Sequence, residues 1–374
     1  MDGFEQLSLH DSILYLIATS VRTSREACEL IQGNTNYMRS MLSKMKAAGL
    51  ISTARGTVWS ARLTQKGVDY LAEKNPKLCE YYLNYSSQNH PGSTPAHVDA
   101  QCRTSEVLCL MKKAGVKIGI EKPSRQEIIC HVQKPIPPDE GVFFMGKELR
   151  KAPEQKVGRA QISRATGVLI SRGMTALVYN TQEKELLLNR TAEKSTNYQA
   201  VALRNEVSAS RQVSDLQYSI VVGYDYDVAK QLFLAEYLSK NKRRSVADAI
   251  KDRTLTGTDF CFIPLSKAGV VQLRLMHRFS PQDICGIVFD EAQQRAGRER
   301  GDCEAVINGL RCFELLTMNL SKLYRVISVF ANELDEIGFV CGEEHVEFIK
   351  SIYPNSKINL RVIKADALKS IANE

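Results

Sequence analysis

Two aspartates are the first residues whose type and spacing could support chemistry. Asp225 and Asp227 follow the apolar run Ser219–Gly223, which the sequence predicts as a strand. Carboxylates just past the carboxyl end of a strand lie where ligand sites form in parallel α/β sheets. Two such acids could bind Mg²⁺ for a nuclease or phosphoesterase reaction. The alternative, which we favour, is structural: Asp227 caps a helix that begins at Val228, and Asp225 shapes the turn.

No other catalytic pattern accompanies the two aspartates. Phosphate-binding loops of the types Gly-x-x-x-x-Gly-Lys-Ser/Thr and Gly-x-Gly-x-x-Gly do not follow any predicted strand, and the Gly-x-Ser-x-Gly motif is missing. The ten cysteines contain no Cys-x-x-Cys pair, and the six histidines are dispersed, so we expect neither a metal site nor a cofactor. An enzymatic role stays open, but the sequence favours binding over catalysis.

A different chemistry, the binding of nucleic-acid phosphates and bases, is indicated between Leu30 and Val68. This stretch carries six basic residues and no acidic residue. Within it, Thr35–Ala48 has the apolar periodicity of an amphipathic helix packed on a core. The opposite face offers donors to phosphates and base edges, with no carboxylate nearby in the sequence. The predicted DNA-binding residues on this helix are Thr35, Asn36, Tyr37, Arg39, Ser40, Ser43, Lys44 and Lys46.

The elements around this helix must form a scaffold that presents it. Gly33 can close the preceding helix in the left-handed conformation. The expected order is helices over Leu9–Ser20, Ser24–Ile31 and Thr35–Ala48, strands over Leu50–Thr53 and Thr57–Leu63, and a helix over Thr64–Lys74. This is the order of a winged helix-turn-helix, in which Arg55 at the hairpin tip and Arg62 on its second strand would reach DNA. A winged helix that only holds a protein partner is the alternative.

The remainder of the chain predicts a second domain. From Gly141 onward, short apolar strands alternate with amphipathic helices, a pattern typical of a three-layer α/β domain with a mainly parallel sheet. Tyr81–Val98 interrupts the helical pattern with prolines, glycine and polar residues. We therefore predict a winged-helix domain at residues 1–78, a linker at 79–104 and an α/β domain at 105–374, which makes the chain α+β overall. The α/β domain is expected to mediate self-association or partner binding.

A second basic stretch lies between Gln155 and Gln182 and contains no acidic residue. Its members are Lys156, Arg159, Arg164 and Arg172. They could extend a DNA contact beyond the winged helix or hold a protein partner, and the alternative is a solvated edge of a hairpin. Additional phosphate contacts would steepen the dependence of DNA affinity on salt.

Composition limits the remaining classes of function. With 374 residues, of which 44% are hydrophobic and 25% charged, the chain is typical of a globular protein of two domains. Its net charge of +8 favours an anionic partner, but only the local clusters carry information. No apolar run approaches the length of a bilayer span, and no signal peptide precedes the cysteines. We therefore expect no membrane contact, reduced thiols and a cytoplasmic location.

Short motifs after the winged helix carry a family resemblance. They are Phe143–Lys151, Ser163–Ile170 and Ala176–Asn180, in this order along the chain. With the winged helix before them, they resemble the replication-relaxation proteins of plasmids and conjugative elements of Gram-positive bacteria. The resemblance implies a DNA-binding accessory of plasmid replication, mobilisation or partition. It also implies a C-terminal domain similar to restriction-endonuclease-like folds.

A nuclease of that fold has a recognisable requirement. It needs an acidic residue on one strand and a Glu-x-Lys pair on the next, because carboxylates hold Mg²⁺ and the lysine supports the attacking water. The predicted hairpin strand ends at Asn180 without a carboxylate, and Glu183–Glu185 lacks the residue between Glu and Lys. We therefore predict that the domain is inactive as a nuclease of this kind.

Together these patterns predict sequence-specific binding to double-stranded DNA. A single winged helix covers a short half-site, so we expect a homodimer on a repeated or palindromic site. The role would be that of an accessory or regulator of plasmid or mobile-element replication, mobilisation or transcription. Two alternatives stay open: a metal-dependent nuclease or phosphoesterase that uses Asp225 and Asp227, and a protein-interaction scaffold.

Overall fold

The structure is a computed structural model of the chain. It describes residues 7–54, 56–86, 95–119, 141–145, 166–171, 174–180, 217–230, 259–352 and 358–373. Several residues of predicted interest lie outside these ranges: Arg55, the second basic stretch (Lys156, Arg159, Arg164 and Arg172) and Glu183–Glu185. The described part mixes helices with strands in several small sheets, so its class is α/β.

Three helices open the described chain where the sequence predicts them. They are α1 (Leu9–Ser20), α2 (Arg25–Gln32) and α3 (Thr35–Ala47). A side chain caps the start of each helix: Ser24, for example, accepts the Ala27 N–H at the start of α2. α2 ends at Gly33, which adopts the left-handed conformation (φ 41°) and donates its N–H to the Glu29 carbonyl. Local sequence signals therefore account for all three helices.

A two-stranded antiparallel sheet and a fourth helix follow. They are β1 (Ile51–Thr53), β2 (Ala61–Leu63) and α4 (Gln65–Lys74). The second strand is shorter than the predicted Thr57–Leu63, because Val58–Ser60 forms a 3₁₀ turn. The Thr57 hydroxyl accepts the Trp59 N–H at 3.3 Å. This side-chain bond competes with strand pairing at the start of the predicted strand.

The region predicted as a linker, residues 79–104, is helical at both ends. α5 (Pro76–Ser86) and α6 (Pro95–Lys113) cover these ends. The prediction treated Pro95 as a break, but proline suits the first turn of a helix because its φ is fixed and its missing N–H is not needed there. Tyr82 of α5 is buried, α5 packs against α1, and α6 packs against α1 and α2. These parts of the region are therefore packed helices and not an exposed connection.

A six-stranded sheet has its strands in chain order. The strands are β3 (Lys117–Gly119), β4 (Val142–Met145), β5 (Gly167–Ser171), β6 (Met174–Asn180), β7 (Gln217–Gly223) and β8 (Asp259–Pro264). β4, β5 and β6 pair antiparallel, whereas β3–β4, β6–β7 and β7–β8 pair parallel. The carboxyl ends of β6, β7 and β8 therefore lie at one edge of the sheet.

The C-terminal part forms a four-stranded sheet with helices around it. Its strands, in the spatial order β12-β11-β10-β9, are β9 (Ala305–Ile307), β10 (Leu310–Glu314), β11 (Ile337–Gly342) and β12 (Asn359–Ile363). The helices are α7 (Lys267–Arg278), α8 (Pro281–Val288), α9 (Glu291–Arg300), α10 (Leu320–Val329), α11 (Val346–Ile352) and α12 (Ala365–Asn373). Five of the eight strand pairings in the two larger sheets are parallel. The strands do not, however, form the single sheet that the sequence predicted.

The edge of β8 gives the physical reason for two sheets. The Phe262 N–H of β8 donates to the Met318 carbonyl at 3.1 Å, so the loop after β10 occupies the position of a further strand. Gln272 of α7 fixes this loop, because its side-chain amide donates to the carbonyls of Phe262 (2.8 Å) and Thr317 (2.9 Å). α10 packs against β8 beyond the loop.

Successive residues of the six-stranded sheet face two different hydrophobic cores. Ile220 and Val222 of β7 belong to one cluster with the N-terminal helices and α6, whereas Val221 between them belongs to another with α10 and α11. The first cluster continues from Ile13 of α1 through Leu108 of α6 to α7. The hydrophobic core therefore crosses the predicted domain boundary.

We predict opposite effects of alanine at two glycines of neighbouring helices. A Cβ on Gly269 in α7 would overlap the carbonyl oxygen of Pro264 at the end of β8, so Gly269→Ala should lower the free energy of unfolding by about 2 kcal/mol. Gly286 in α8 has open space at its Cβ position. Gly286→Ala should therefore raise the free energy of unfolding by about 0.5 to 1 kcal/mol, because glycine is a poor helix former. Urea unfolding followed by circular dichroism measures both changes. Equal effects of the two variants would contradict the close packing of α7 on β8.

Candidate nucleic-acid interface

α3 presents one polar face to solvent. Met38, Leu42 and Met45 are buried on the other side of the helix, which confirms the predicted amphipathic pattern. Tyr37 is 51% exposed. The exposed face carries seven of the predicted DNA-binding residues: Asn36, Tyr37, Arg39, Ser40, Ser43, Lys44 and Lys46.

Three cations on this face have no anionic partner in the described structure. Arg39, Lys44 and Lys46 form no ion pair within 4.0 Å of any described carboxylate. Other arginines of the chain do pair: Arg25 lies 2.8 Å from a Glu29 oxygen. The positive charge of the α3 face is therefore available to an external anion.

Thr35, the remaining predicted residue on α3, is half-buried and already bonded. Its hydroxyl donates to Oε1 of Glu29 at 2.9 Å, and Arg25 donates to the same oxygen at 2.8 Å. The hydrogen bond from Arg25 lowers the pKa of Glu29, so this carboxylate is charged at neutral pH. The acid-free stretch of the sequence begins just after Glu29, and the fold brings that charge to the start of α3. Thr35 therefore ties α3 to α2, and its hydroxyl hydrogen is not available to DNA in this arrangement.

Arg62 is the predicted wing residue that the structure describes. It lies at the centre of β2, opposite Ser52 and between the buried residues Ala61 and Leu63. Strand alternation turns its side chain away from the core, and it is half-buried. A cation on such a hairpin can contact a DNA phosphate beside a major groove that is occupied by the preceding helix.

The first of the two aspartates that suggested metal chemistry has a structural role. Oδ1 of Asp225 accepts the N–H groups of Asp227 (3.1 Å) and Val228 (3.3 Å). Asp225 therefore caps a helix that begins at Tyr226, whereas the sequence predicted Asp227 as the cap of a helix from Val228. Within the described ranges, no group of three or more His, Cys, Asp or Glu side chains could hold a metal ion.

A buried acid that the sequence did not single out lies next to this turn. Glu106 of α6 is 1% exposed and accepts hydrogen bonds from Nδ2 of Asn180 (2.7 Å) and from the hydroxyl of Tyr224 (2.8 and 2.9 Å to its two oxygens). Asn180 ends β6 and Tyr224 follows β7, so these partners lie at the carboxyl edge of parallel strands. The hydroxyl of Ser24, the N-cap of α2, lowers the pKa of the same carboxylate and therefore lies close to it. The cluster therefore joins α2, α6 and the six-stranded sheet.

The protonation of Glu106 is shifted by its surroundings. Burial raises its pKa to about 7, while the hydrogen bonds from Asn180, Tyr224 and Ser24 lower it in part. The negative charge of Glu26 on α2 raises the pKa of Glu106 further. Such a carboxyl group can act as a general acid or base where a substrate reaches it. Glu106 is enclosed by protein and its oxygens are already bonded, so we interpret it as a structural group.

A partly buried charge cluster lies at the end of β10. Lys322 of α10 pairs with Glu304 (2.8 Å) and Glu314 (2.9 Å). Burial by itself lowers the pKa of Lys322, but the two carboxylates outweigh this effect and raise it. Two acids and a lysine are groups that a metal-dependent nuclease would need. Each carboxylate oxygen, however, already has a protein partner; Oε1 of Glu314, for example, accepts the Thr317 N–H at 2.8 Å. The cluster is therefore a structural ion-pair network.

The described cysteines and helices relate to two expectations from composition, namely reduced thiols and no membrane contact. Nine cysteines lie in the described part of the chain, and all of them are free thiols. Burial raises the pKa of Cys109 to about 12, so this thiol stays protonated. None of the helices in the described ranges combines the length and the hydrophobicity that a bilayer span requires.

Comparison with known proteins gives no match. No protein-family model, curated protein or solved structure matches the chain. The resemblance to replication-relaxation proteins stays a prediction from the short motifs, as does the likeness of the C-terminal part to restriction-endonuclease-like folds. The function must therefore be argued from the arrangement of the side chains.

We predict that Glu106 makes the stability of the protein depend on pH. Its folded pKa of about 7 lies above the ordinary value of 4.5, so the folded state binds more protons than the unfolded state between these pH values. Stability should therefore fall by about 3 kcal/mol as pH rises through this window and change little above it. Glu106→Gln should remove this contribution. The free energy of unfolding in urea, measured from pH 4.5 to 8 for both proteins, checks it.

Two features of the protein sharpen this measurement. Burial lowers the pKa of His277 to about 4 and of His345 to about 3. These histidines make stability rise with pH, the opposite of the effect of Glu106, and they do so equally in both proteins. The difference between wild type and variant therefore isolates Glu106. Glu299→Gln, at an exposed position of α9, is the matched control and should keep the wild-type profile. If Glu106→Gln also keeps that profile, Glu106 is not the titrating group.

Proposed function

We propose that the protein binds double-stranded DNA through the exposed face of α3. The observation that carries the proposal is a set of three cations on this face, Arg39, Lys44 and Lys46, which have no anionic partner among the residues that the structure describes. Like charges on one helix repel each other, and exposed charges contribute little to stability, so the fold itself gains nothing from this set. A phosphate backbone supplies the missing anions.

The elements around α3 support a winged-helix mode of binding. α2 and α3 are joined by a short turn at Gly33, and the β1–β2 pair follows α3 as a hairpin. In helix-turn-helix proteins the second helix lies in the major groove while the first crosses the backbone. α3 has 13 residues and is therefore about 20 Å long. An α-helix with its side chains is about 10 to 12 Å in diameter, which fits a major groove about 12 Å wide.

The residues of this face have different roles in the proposed complex. Arg39 can form two hydrogen bonds to a guanine edge, and Asn36 can do the same with adenine. Tyr37, Ser40 and Ser43 lie close to the bases together with these two residues. Lys44 and Lys46 reach phosphates on the groove wall, and Arg62 on β2 reaches the backbone beside it.

The biological role rests on the sequence motifs and on geometry. One helix in one groove specifies only a short half-site, so the protein acts as a homodimer on a repeated or palindromic site. The part of the chain after α6 serves self-association or recruits a protein partner. The family resemblance supports a cytoplasmic accessory or regulator of plasmid or mobile-element replication, mobilisation or transcription.

We predict that two alanine variants weaken DNA binding in different ways. Arg39→Ala should weaken binding to the selected site by about 1 to 3 kcal/mol and relax the preference at one base pair, because a base contact is lost. Lys44→Ala should weaken binding to all sequences alike and reduce the slope of log affinity against log salt by about 0.9, because one phosphate contact is lost. Fluorescence anisotropy measures both, with a duplex selected from a random library by the wild-type protein.

Lys350→Ala is the matched control for these variants. Lys350 is exposed on α11, and α11 packs in the other hydrophobic cluster, away from the N-terminal helices. This control should bind DNA like wild type. If selection yields no preferred duplex, or if Arg39→Ala and Lys44→Ala bind like the control, the α3 face is not a DNA interface and a protein-interaction role becomes the better explanation.

A further inference from the structure

The start of α7 lies beside the turn between α2 and α3. A Cβ placed on Gly33, which closes α2, would lie 3.8 Å from Nζ of Lys267. Lys267 is the first residue of α7 and is exposed. A cation from the region predicted as a separate α/β domain therefore reaches the turn that leads into the proposed DNA-binding helix.

Lys267 has no carboxylate partner within 4.0 Å among the residues that the structure describes. The nearest acid in the sequence of α2 is Glu29, four residues before Gly33. Its Oε1 already accepts hydrogen bonds from Arg25 and Thr35. The ammonium group of Lys267 is therefore not used to neutralise this acid, and it adds to the unpaired positive charge next to α3.

Contacts between α6 and α7 fix the position of Lys267. The His277 ring nitrogen Nε2 lies 2.7 Å from the Ala114 carbonyl, and Arg274 donates to the Lys113 carbonyl at 2.7 Å. Both carbonyls are at the end of α6, the helix that also packs against α2. α7 therefore cannot move away from the α2–α3 turn without breaking buried contacts.

We infer that Lys267 binds a backbone phosphate of the duplex, so that the DNA-binding surface continues from α3 onto α7. This inference rests on the proposed function. A recognition helix enters the major groove with its N-terminal residues nearest the bases. The turn before α3 then lies at the groove wall, and an extended lysine side chain beside it reaches the phosphates. The DNA interface thus includes a residue far from the winged helix in sequence.

Three substitutions at Lys267 test this inference in the full chain. Lys267→Ala should bind the selected duplex roughly five- to tenfold more weakly at 0.1 M salt, with a salt slope smaller by about 0.9. The loss should be equal on an unrelated duplex, because a phosphate contact carries no sequence information. Lys267→Arg should restore both values, and Lys267→Glu should weaken binding further than alanine.

The outcomes separate this inference from the proposed function. If Lys267→Ala keeps the wild-type salt slope while Lys44→Ala loses part of it, the extension onto α7 is wrong and the α3 interface stands. If Lys267→Ala changes the base preference and not the slope, the lysine positions α3 and the phosphate contact is wrong. If Lys267→Ala, Lys44→Ala and Arg39→Ala all bind like wild type, the proposed function itself fails. Thermal unfolding of each variant should match wild type, because Lys267 is exposed.

Discussion

The complete burial of residues 105–111 of α6 is the constraint on which the rest of the structure depends. Every residue from 105 to 111 is buried, so this helix needs packing partners in every direction. α1 and α2 lie against it, the six-stranded sheet supplies β6, and α7 supplies another contact. Because burial of apolar surface is the main favourable term in folding, these elements are held as one body around α6. The N-terminal helices are therefore part of the main core.

Polar contacts give this packing its orientation. Arg22, in the turn between α1 and α2, donates to Gln101 of α6 at 2.8 Å and to the Ser60 carbonyl at 3.1 Å. Glu106 of the same helix takes bonds from α2 and from the ends of two strands. A buried carboxyl group is costly unless it is bonded on all sides, so its partners must stay in place. The face of α3 is presented from a fixed frame, which would reduce the entropy lost in the proposed binding to a duplex.

The distribution of charge separates structural groups from candidate functional ones. Arg311 is bonded to Asp302 (2.9 Å) and Glu336 (2.7 Å), and Lys322 lies between two glutamates. These cations are explained by their partners within the chain. The cations on α3 have none in the described structure, so an external anion is the simplest reason for their clustering. The same comparison applies to Asp225 and Asp227, because one oxygen of the first carboxylate caps a helix.

The sequence by itself determined α1, α2 and α3, because their caps, apolar stripes and the glycine at Gly33 act within a few residues. It also determined which face of α3 is exposed. Only the tertiary structure decided that the helix beginning at Pro95 is packed, that the strands form two sheets, that Glu106 lies near the start of α2, and that Lys267 lies beside the turn before α3. These outcomes depend on contacts between segments far apart in sequence, such as the Phe262 bond to the loop at Met318. Local sequence patterns do not specify such contacts, because the same helix and strand propensities are compatible with many packings. The free energy of the buried core selects one of these packings.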